Sequence, residues 1–233
     1  RMIRIAPVYY ISALPFIVIY FFPDFQLLAD GLLFGVFQRE TTTLHDLLLF
    51  ITFTQSLSFS FNSAWAINSP SWSVSTEMFF YLLFPVLLKC RTKSLLVLLL
   101  LLVMWLAQLT VNYQSIPLLQ TLAAHPQLTV GQFLVGMFPL TRLPEFISGI
   151  LIFRLYNNGF RLPKICFLMS TLALGIAALF SQQVNDLLRP SLYFLPFTTF
   201  FFLSFLTPSL GTKMFKSKTM IVLGHSSYCF YLF

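Results

Sequence analysis

Charge is what this sequence has least of. Only 9% of its 233 residues are Asp, Glu, Lys or Arg, where a soluble domain carries about a quarter. So thin a supply cannot coat a water-facing surface, which excludes an ordinary soluble globular protein. Acidic residues are scarcest, 7 against 14 basic ones, giving a net charge of +7. In a soluble chain that balance raises nucleic acid as a partner. Here the basic residues fall in short clusters between apolar runs and collect on no one face or tail, so nucleic acid is set aside. Cysteine is sparse as well: Cys90, Cys166 and Cys229 form no CxxC pair. That excludes a disulfide framework and a zinc site, and no metal is expected. Cys90 and Cys166 lie beside basic clusters and read as structural thiols on a reducing side. Internal repeats, low-complexity linkers and any soluble domain are also missing.

What is present is apolar. Hydrophobic residues make up 58% of the chain, 29 of them Phe, and the mean hydropathy is +0.83. With lipid as the solvent, Leu and Phe can face outward. A spanning helix needs roughly 20 apolar residues, about 17 at the short end. The runs 5–22, 44–61, 72–88, 94–111, 130–155, 165–180, 191–206 and 220–233 are candidates. The run 130–155 holds Pro139, Arg142, Pro144 and Glu145 and reads as broken. The expectation is an all-α, polytopic transmembrane helix bundle of about seven spans plus a possible re-entrant segment. A single domain over residues 1–233 is expected, incomplete at both ends, since the chain opens directly into one apolar run and stops inside another.

Basic residues mark the cytoplasmic loops of such proteins. Three clusters qualify: Lys89/Arg91/Lys93, Arg154/Arg161/Lys164 and Lys213/Lys216/Lys218. Placed on one side, they make hairpins of 94–111 with 130–155, and of 165–180 with 191–206. Arg1 and Arg4 form a fourth cluster. If 5–22 leaves the cytoplasm and 72–88 returns to Lys89, no crossing remains for 44–61. Its His45, Asp46, Gln55 and hydroxyl residues fit a re-entrant or interfacial element. Asp24, Asp30 and Glu40, with Asp46, suit an external loop.

Three stretches carry residues of chemical interest. In RMIRIAP, spacing of three puts Arg1 and Arg4 on one face of a helical turn. Two guanidinium forks at a membrane surface suit a phosphate or pyrophosphate; an ordinary positive anchor is the plainer reading. In PSWSVSTEMFFYLLFPVLL, residues 70–88, Glu77 sits in an apolar run, where a charge costs on the order of 2.5–3.5 kcal/mol. Such a residue faces a bundle interior and has a partner. Ser73, Glu77 and Tyr81 recur every four residues and share a helix face, with Trp72 an interfacial anchor. A carboxylate buried for packing alone is the rival reading. In TRLPEFISGILIF, residues 141–153, Pro144 suits the first turn of a new helix and Glu145 its positive dipole. Ser148 and Gly149 allow close helix approach, and Arg142 with Glu145 can be simply a local ion pair. The histidines are isolated: His45 beside Asp46, His125 before Pro126, and His225 at the start of the last run. Each reads as a loop or cap residue.

Together these stretches resemble the acyltransferase 3 family of integral-membrane O-acyltransferases. The RxxR followed by an aliphatic–X–Pro is matched by Arg1, Arg4 and Pro7. The P-x-W-S-x-S-x-E stretch leading into F-Y-L-x-F-P is matched by Pro70, Trp72, Ser73, Ser75, Glu77, Phe80, Tyr81, Leu82, Phe84 and Pro85. An R-x-P-E-F-x-x-G helix start is matched by Arg142, Pro144, Glu145, Phe146 and Gly149, and the closing L-G followed by S-Y-S-L-Y-L by Leu223, Gly224, Ser227, Tyr228, Tyr231 and Leu232. Cys229 replaces a small Ser of the family, and Met78 follows Glu77 where a second polar residue is common.

The resemblance implies transfer of an acyl group, commonly acetyl, from a cytoplasmic thioester to a hydroxyl. Acceptors in the family are sugars of cell-envelope or exported glycans, sometimes lipid-linked. The setting is the bilayer of a bacterial cytoplasmic membrane. No cofactor is implied beyond acetyl-CoA or a similar acyl thioester as co-substrate. Such chemistry needs a base for the hydroxyl proton and a donor to steady the oxyanion. The family's base is a histidine on a helix expected upstream of Arg1. The resemblance assigns Arg1 and Arg4 to the acyl donor, Glu77, Arg142 and Glu145 to catalysis, and Trp72, Ser73, Ser75 and Tyr81 to the substrate face. A polytopic transporter or permease, and an inactive remnant of the same fold, are the alternatives.

Overall fold

The computed structural model describes residues 2–21, 43–58, 63–64, 67–112, 137–181, 192–207 and 217–221. The described residues form seven α-helices and two 3₁₀ turns, with no strand among them. The helices are α1 (Met2–Phe21), α2 (Leu44–Ile51), α3 (Trp72–Lys89), α4 (Thr92–Asn112), α5 (Pro139–Asn157), α6 (Ile165–Phe180) and α7 (Phe194–Ser204). Among the described residues, Thr92–Leu109 of α4 is the one stretch long and apolar enough to cross a membrane by itself. Large apolar side chains are nonetheless exposed on the outward faces: Leu82 on α3 is 79% exposed, Leu100 on α4 62% and Leu179 on α6 80%. Exposed apolar surface on this scale suits a nonaqueous neighbour. The last run, 220–233, lies outside the described residues apart from its first two.

The run 44–61 is not one helix. Thr43 and Asp46 make a capping box at the start of α2: the Thr43 amide donates to Asp46 Oδ2 (2.8 Å), and the Asp46 amide donates to Thr43 Oγ1 (3.3 Å). Eight residues then give only about 12 Å of helix, against a hydrocarbon core of about 30 Å. Phe53 ends the segment with φ 58°, a left-handed conformation in a residue that is not glycine. Packing holds it there. Its ring lies against Tyr9 (centroids 4.5 Å apart), and its carbonyl accepts from Ser75 Oγ at 2.7 Å.

α3 and α5 lie side by side and parallel, and α4 packs against α5. At one end the Arg142 guanidinium lies over the Trp72 ring, 5.8 Å from its centroid. Midway, Phe80 stacks on Phe146 at 4.8 Å. At the far end Arg154 of α5 donates to the carbonyls of Leu88 (3.0 Å) and Cys90 (2.8 Å), where α3 stops, and to Thr92 Oγ1 (3.1 Å), where α4 starts. A cation there meets the negative end of α3's dipole and its unpaired carbonyls. Leu87, Leu95, Leu143, Ile147, Ile150 and Leu151 fill the space between the three helices.

One expectation about α5 fails. The helix does not start at Pro144 but at Pro139, and Pro144 sits inside it. Pro139 takes the first helical position, where a missing N–H is harmless. The helix then runs on through Pro144 because the face carrying Leu143, Ile147, Ile150 and Leu151 is buried. α5 ends in a Schellman motif: the Gly159 amide donates to Tyr156 O (3.0 Å) and the Phe160 amide to Leu155 O (3.0 Å), with Gly159 at φ 77°. α6 and α7 form the expected antiparallel hairpin. Leu162 pairs with Thr207 (2.9 Å), Ser170 with Ser204 (3.1 Å), and Tyr193 OH with Ala177 O (2.9 Å).

Candidate functional site

The site residues named from sequence separate into two groups. The first centres on α3. Tyr81 OH donates to Glu77 Oε1, one helical turn earlier on α3. Tyr81 also packs against the core formed by Ile5, Tyr9 and Ala13 of α1, Phe50, Ile67, and Val74 and Met78 of α3. Glu77 therefore has the partner that its position demanded. Ser73 shares the spacing but turns its hydroxyl back to Pro70 O at 3.0 Å. Arg1 lies outside the described residues. Arg4 is in α1, next to Ile5 of this core, and its side chain lies outside what the structure describes.

The second group centres on α5 and opens toward α7. Arg142 Nη1 donates to Glu145 Oε1 at 3.0 Å. The Arg142 side chain is 19% exposed and that of Glu145 39%, and Trp72 covers the guanidinium from α3. The pair opens into a groove of about 730 Å³ between α5 and α7. Ile152, Phe153 and Tyr156 continue its α5 wall; Phe194, Thr198 and Phe202 face them from α7. Gly149 does not mark a close helix approach, since nothing lies within 4 Å of where its Cβ would be. It leaves the groove open halfway along.

Ser75 belongs to neither group. It is 1% exposed, shares a hydrogen bond with Ser56 Oγ (2.7 Å) and donates to Phe53 O (2.7 Å). Beside it runs a buried polar chain that sequence reasoning did not assemble. Tyr9 OH donates to Phe50 O (3.0 Å) and accepts from Gln55 Nε2 (2.9 Å). The same Gln55 nitrogen donates to Ser71 Oγ (3.0 Å), Ser71 Oγ donates to Asn68 O (2.5 Å), and Asn68 Nδ2 donates to Ser12 Oγ (3.1 Å). Tyr9, Ser12, Gln55, Asn68 and Ser71 are all at most 3% exposed. The one signal available was the polar content of 44–61, which pointed to an internal lining without naming the partners.

Of the three histidines, His45 alone lies among the described residues. His45 is 71% exposed and 4.0 Å from an Asp46 carboxylate that is engaged in capping α2. His125 and His225, like Lys213, Lys216 and Cys229, lie outside the described residues. No group of three or more His, Cys, Asp or Glu side chains able to hold a metal occurs among the described residues.

Helices with exposed apolar side chains, one of them long and apolar enough to cross a membrane, and a charged pair opening on an apolar groove are features of membrane proteins as a class. The particular family follows from the sequence pattern of the acyltransferase 3 family's Acyltransferase domain, which matches residues 1–233; the chain belongs to that family. Its members are acyltransferases and typically integral to membranes. No curated protein and no solved structure matches the chain.

Proposed function

We propose that this domain transfers an acyl group, acetyl in the first instance, from a cytoplasmic thioester such as acetyl-CoA to a hydroxyl of a cell-envelope or exported glycan. The observation that carries the proposal is the Arg142–Glu145 pair, covered by Trp72 and open to a groove, in a chain of this family. In the reaction the acceptor oxygen bonds to the thioester carbonyl carbon, the carbon–sulfur bond breaks, and the hydroxyl proton ends on the departing thiolate. Arg142 offers N–H donors to developing oxyanion charge. Glu145 accepts from the acceptor hydroxyl and orients it. Glu77, backed by Tyr81, supplies a further polar contact, and Arg1 and Arg4 hold the donor's phosphates. The family's histidine base would come from a segment preceding Arg1.

The proposed setting is a multi-pass arrangement in a bacterial cytoplasmic membrane. Arg154 supports it, because its bonds to Leu88, Cys90 and Thr92 gather two basic clusters at one end of α3 and α5. With that end inside, Arg142 and Glu145 lie toward the opposite face. The acceptor then enters from the side to which glycans are exported, and the donor from the side where thioesters are made.

The test is incorporation of radiolabelled acetyl from acetyl-CoA into membrane glycan by membranes carrying the full-length protein. Glu145→Gln and Arg142→Lys are expected to reduce incorporation by about 10²–10⁴ at unchanged protein level. Incorporation no higher than in membranes lacking the protein, or undiminished in both variants, overturns the proposal.

A further inference from the structure

Gln55 enters no step of the proposed reaction, yet its amide is the junction of the buried polar chain. We propose that Gln55 is a positioning residue: through Ser71 it fixes Trp72 over Arg142, and so holds the Arg142–Glu145 pair in the geometry that acyl transfer uses. The role of the pair rests on the proposed reaction; the residue that places it is new.

The path is short. Gln55 Nε2 donates to Ser71 Oγ at 3.0 Å. Ser71 in turn donates to Asn68 O twice, from its hydroxyl at 2.5 Å and from its amide at 2.9 Å. The next residue is Trp72, the first of α3. With Ser71 held by three hydrogen bonds, only χ1 and χ2 of Trp72 remain to aim its ring. That ring lies 5.8 Å from Arg142 Cζ, and Arg142 donates to Glu145. A hydrogen bond, a peptide link and a cation–π contact thus lead from Gln55 to the pair.

Gln55 can serve as an anchor because it is itself fixed. It is 1% exposed, and Tyr9 OH lies 2.9 Å from its Nε2 and 3.3 Å from its Oε1. Tyr9 is in turn packed between the rings of Phe50 and Phe53, at 4.3 and 4.5 Å. Ser58 Oγ donates to Gln55 O at 2.7 Å. A helix continued past Ile51 would set Gln55 on the same face as Ile51, which is 47% exposed. The left-handed turn at Phe53 buries it instead. Strain of this kind persists where the surrounding structure demands it and clusters at functional sites. Here it delivers one amide to the foot of α3. A fully satisfied buried network of this sort rigidifies what it joins, and placement within about 1 Å is worth about 10²-fold in rate.

An amide that only satisfied its own burial would change how much protein folds, not how fast each folded molecule works. The test separates the two. Full-length protein is labelled with fluorotryptophan, and the fluorine resonance of Trp72 is assigned by its loss in Trp72→Phe. Gln55→Met keeps the length of the side chain and removes the amide; Ser71→Ala removes the acceptor. Both are expected to move or broaden the Trp72 resonance. Both should lower the maximal rate of acetyl incorporation from acetyl-CoA into membrane glycan, per folded molecule, by about 10–100-fold. The KM for acetyl-CoA should change less than about twofold. The double variant should be no slower than the slower single one, since the two act through one contact. Ser170→Ala is the control. It removes a fully buried hydroxyl bonded to Ser204 Oγ at 3.1 Å in the α6–α7 hairpin, and should lower the melting temperature while leaving the resonance and the rate per folded molecule unchanged. Parental rate and resonance in Gln55→Met overturn the proposal, whatever its melting temperature. So does a slower rate with the Trp72 resonance unmoved, because Gln55 then does not act through Trp72. Should Gln55→Met fail to accumulate, the smaller change Ser71→Ala decides by the same two readouts. The resonance needs no turnover: if it moves in both variants while the parent transfers no acetyl group, the placement of Trp72 by Gln55 stands and the proposed reaction falls.

Discussion

Arg154 and Cys90, 64 residues apart, meet through a hydrogen bond of 2.8 Å from Nη2 to the Cys90 carbonyl oxygen. With the Leu88 carbonyl and Thr92 Oγ1 also within its fork, Arg154 ties the end of α3 and the start of α4 to α5. Arg154→Met keeps the stem and removes every donor. It is expected to lower stability by about 2 kcal/mol, since hydrogen bonds to charged groups contribute roughly 1.5–3 kcal/mol each and this side chain is only half-buried. Arg154→Lys should lose less, because one ammonium reaches some but not all of the acceptors. Thermal unfolding of the purified protein checks both, and a Met variant as stable as the parent would refute the clasp.

Gly149 inside α5 and Gly159 just past its end should respond with opposite signs to the same change. Neither Gly149 nor Gly159 has any atom within 4 Å of an added Cβ, but only Gly159 has positive φ, 77°. Gly159→Ala is expected to destabilise by about 1 kcal/mol, the penalty of a left-handed alanine. Gly149→Ala, in a helix interior, is expected to stabilise by about 0.5–1 kcal/mol. Equal signs in a melting comparison would rule this account out.

Removal of the Tyr9 hydroxyl strands groups that have no water to replace it. Tyr9→Phe leaves the Phe50 carbonyl and the Gln55 amide without this partner in a fully buried setting, an expected loss of about 1–3 kcal/mol. Gln55→Leu should cost a similar amount. The double variant should cost less than the two together, because contacting residues in one network couple. Strict additivity in a double-mutant cycle would mean that the two residues act independently.

The break at Phe53 carries a topological consequence. A helix of about 12 Å cannot cross alone, so both ends of 44–61 are expected on one face. Glu40→Cys and Ser63→Cys, in a background with Cys90, Cys166 and Cys229 replaced by Ser, should label from the same side of sealed vesicles. Labelling from opposite sides would place one of the basic clusters on the wrong face.

If Arg1 and Arg4 hold the donor's phosphates as a bidentate clamp, lysine is a poor substitute, because it offers point charge without the planar fork. The Arg1→Lys/Arg4→Lys double variant of the full-length protein is expected to raise the KM for acetyl-CoA more than tenfold, with smaller effect on the acceptor. An unchanged KM at normal membrane level would return the pair to the role of a positive anchor.

Much of this protein was legible along the chain because helical contacts within four residues are set by the 3.6-residue repeat alone. The scarcity of charge and length of the apolar runs determined a helical protein that faces lipid. The spacing of Glu77 with Tyr81, and of Arg142 with Glu145, determined which side chains could meet on one helix face, and the structure pairs both. Serine positions were less telling: Ser73, Ser75 and Ser71 look alike in sequence, and only packing sends the first back to its own turn and buries the other two. The continuation of α5 through Pro144 was likewise a tertiary decision, because a buried apolar face offsets a local penalty that sequence weighs in isolation. So were the left-handed Phe53, the buried chain from Tyr9 to Asn68 and the groove that Gly149 leaves open. These depend on which helix lies opposite which. Packing of whole helices settles that, because the residues that hydrogen-bond across helices lie 16 to 67 positions apart and no local periodicity relates them.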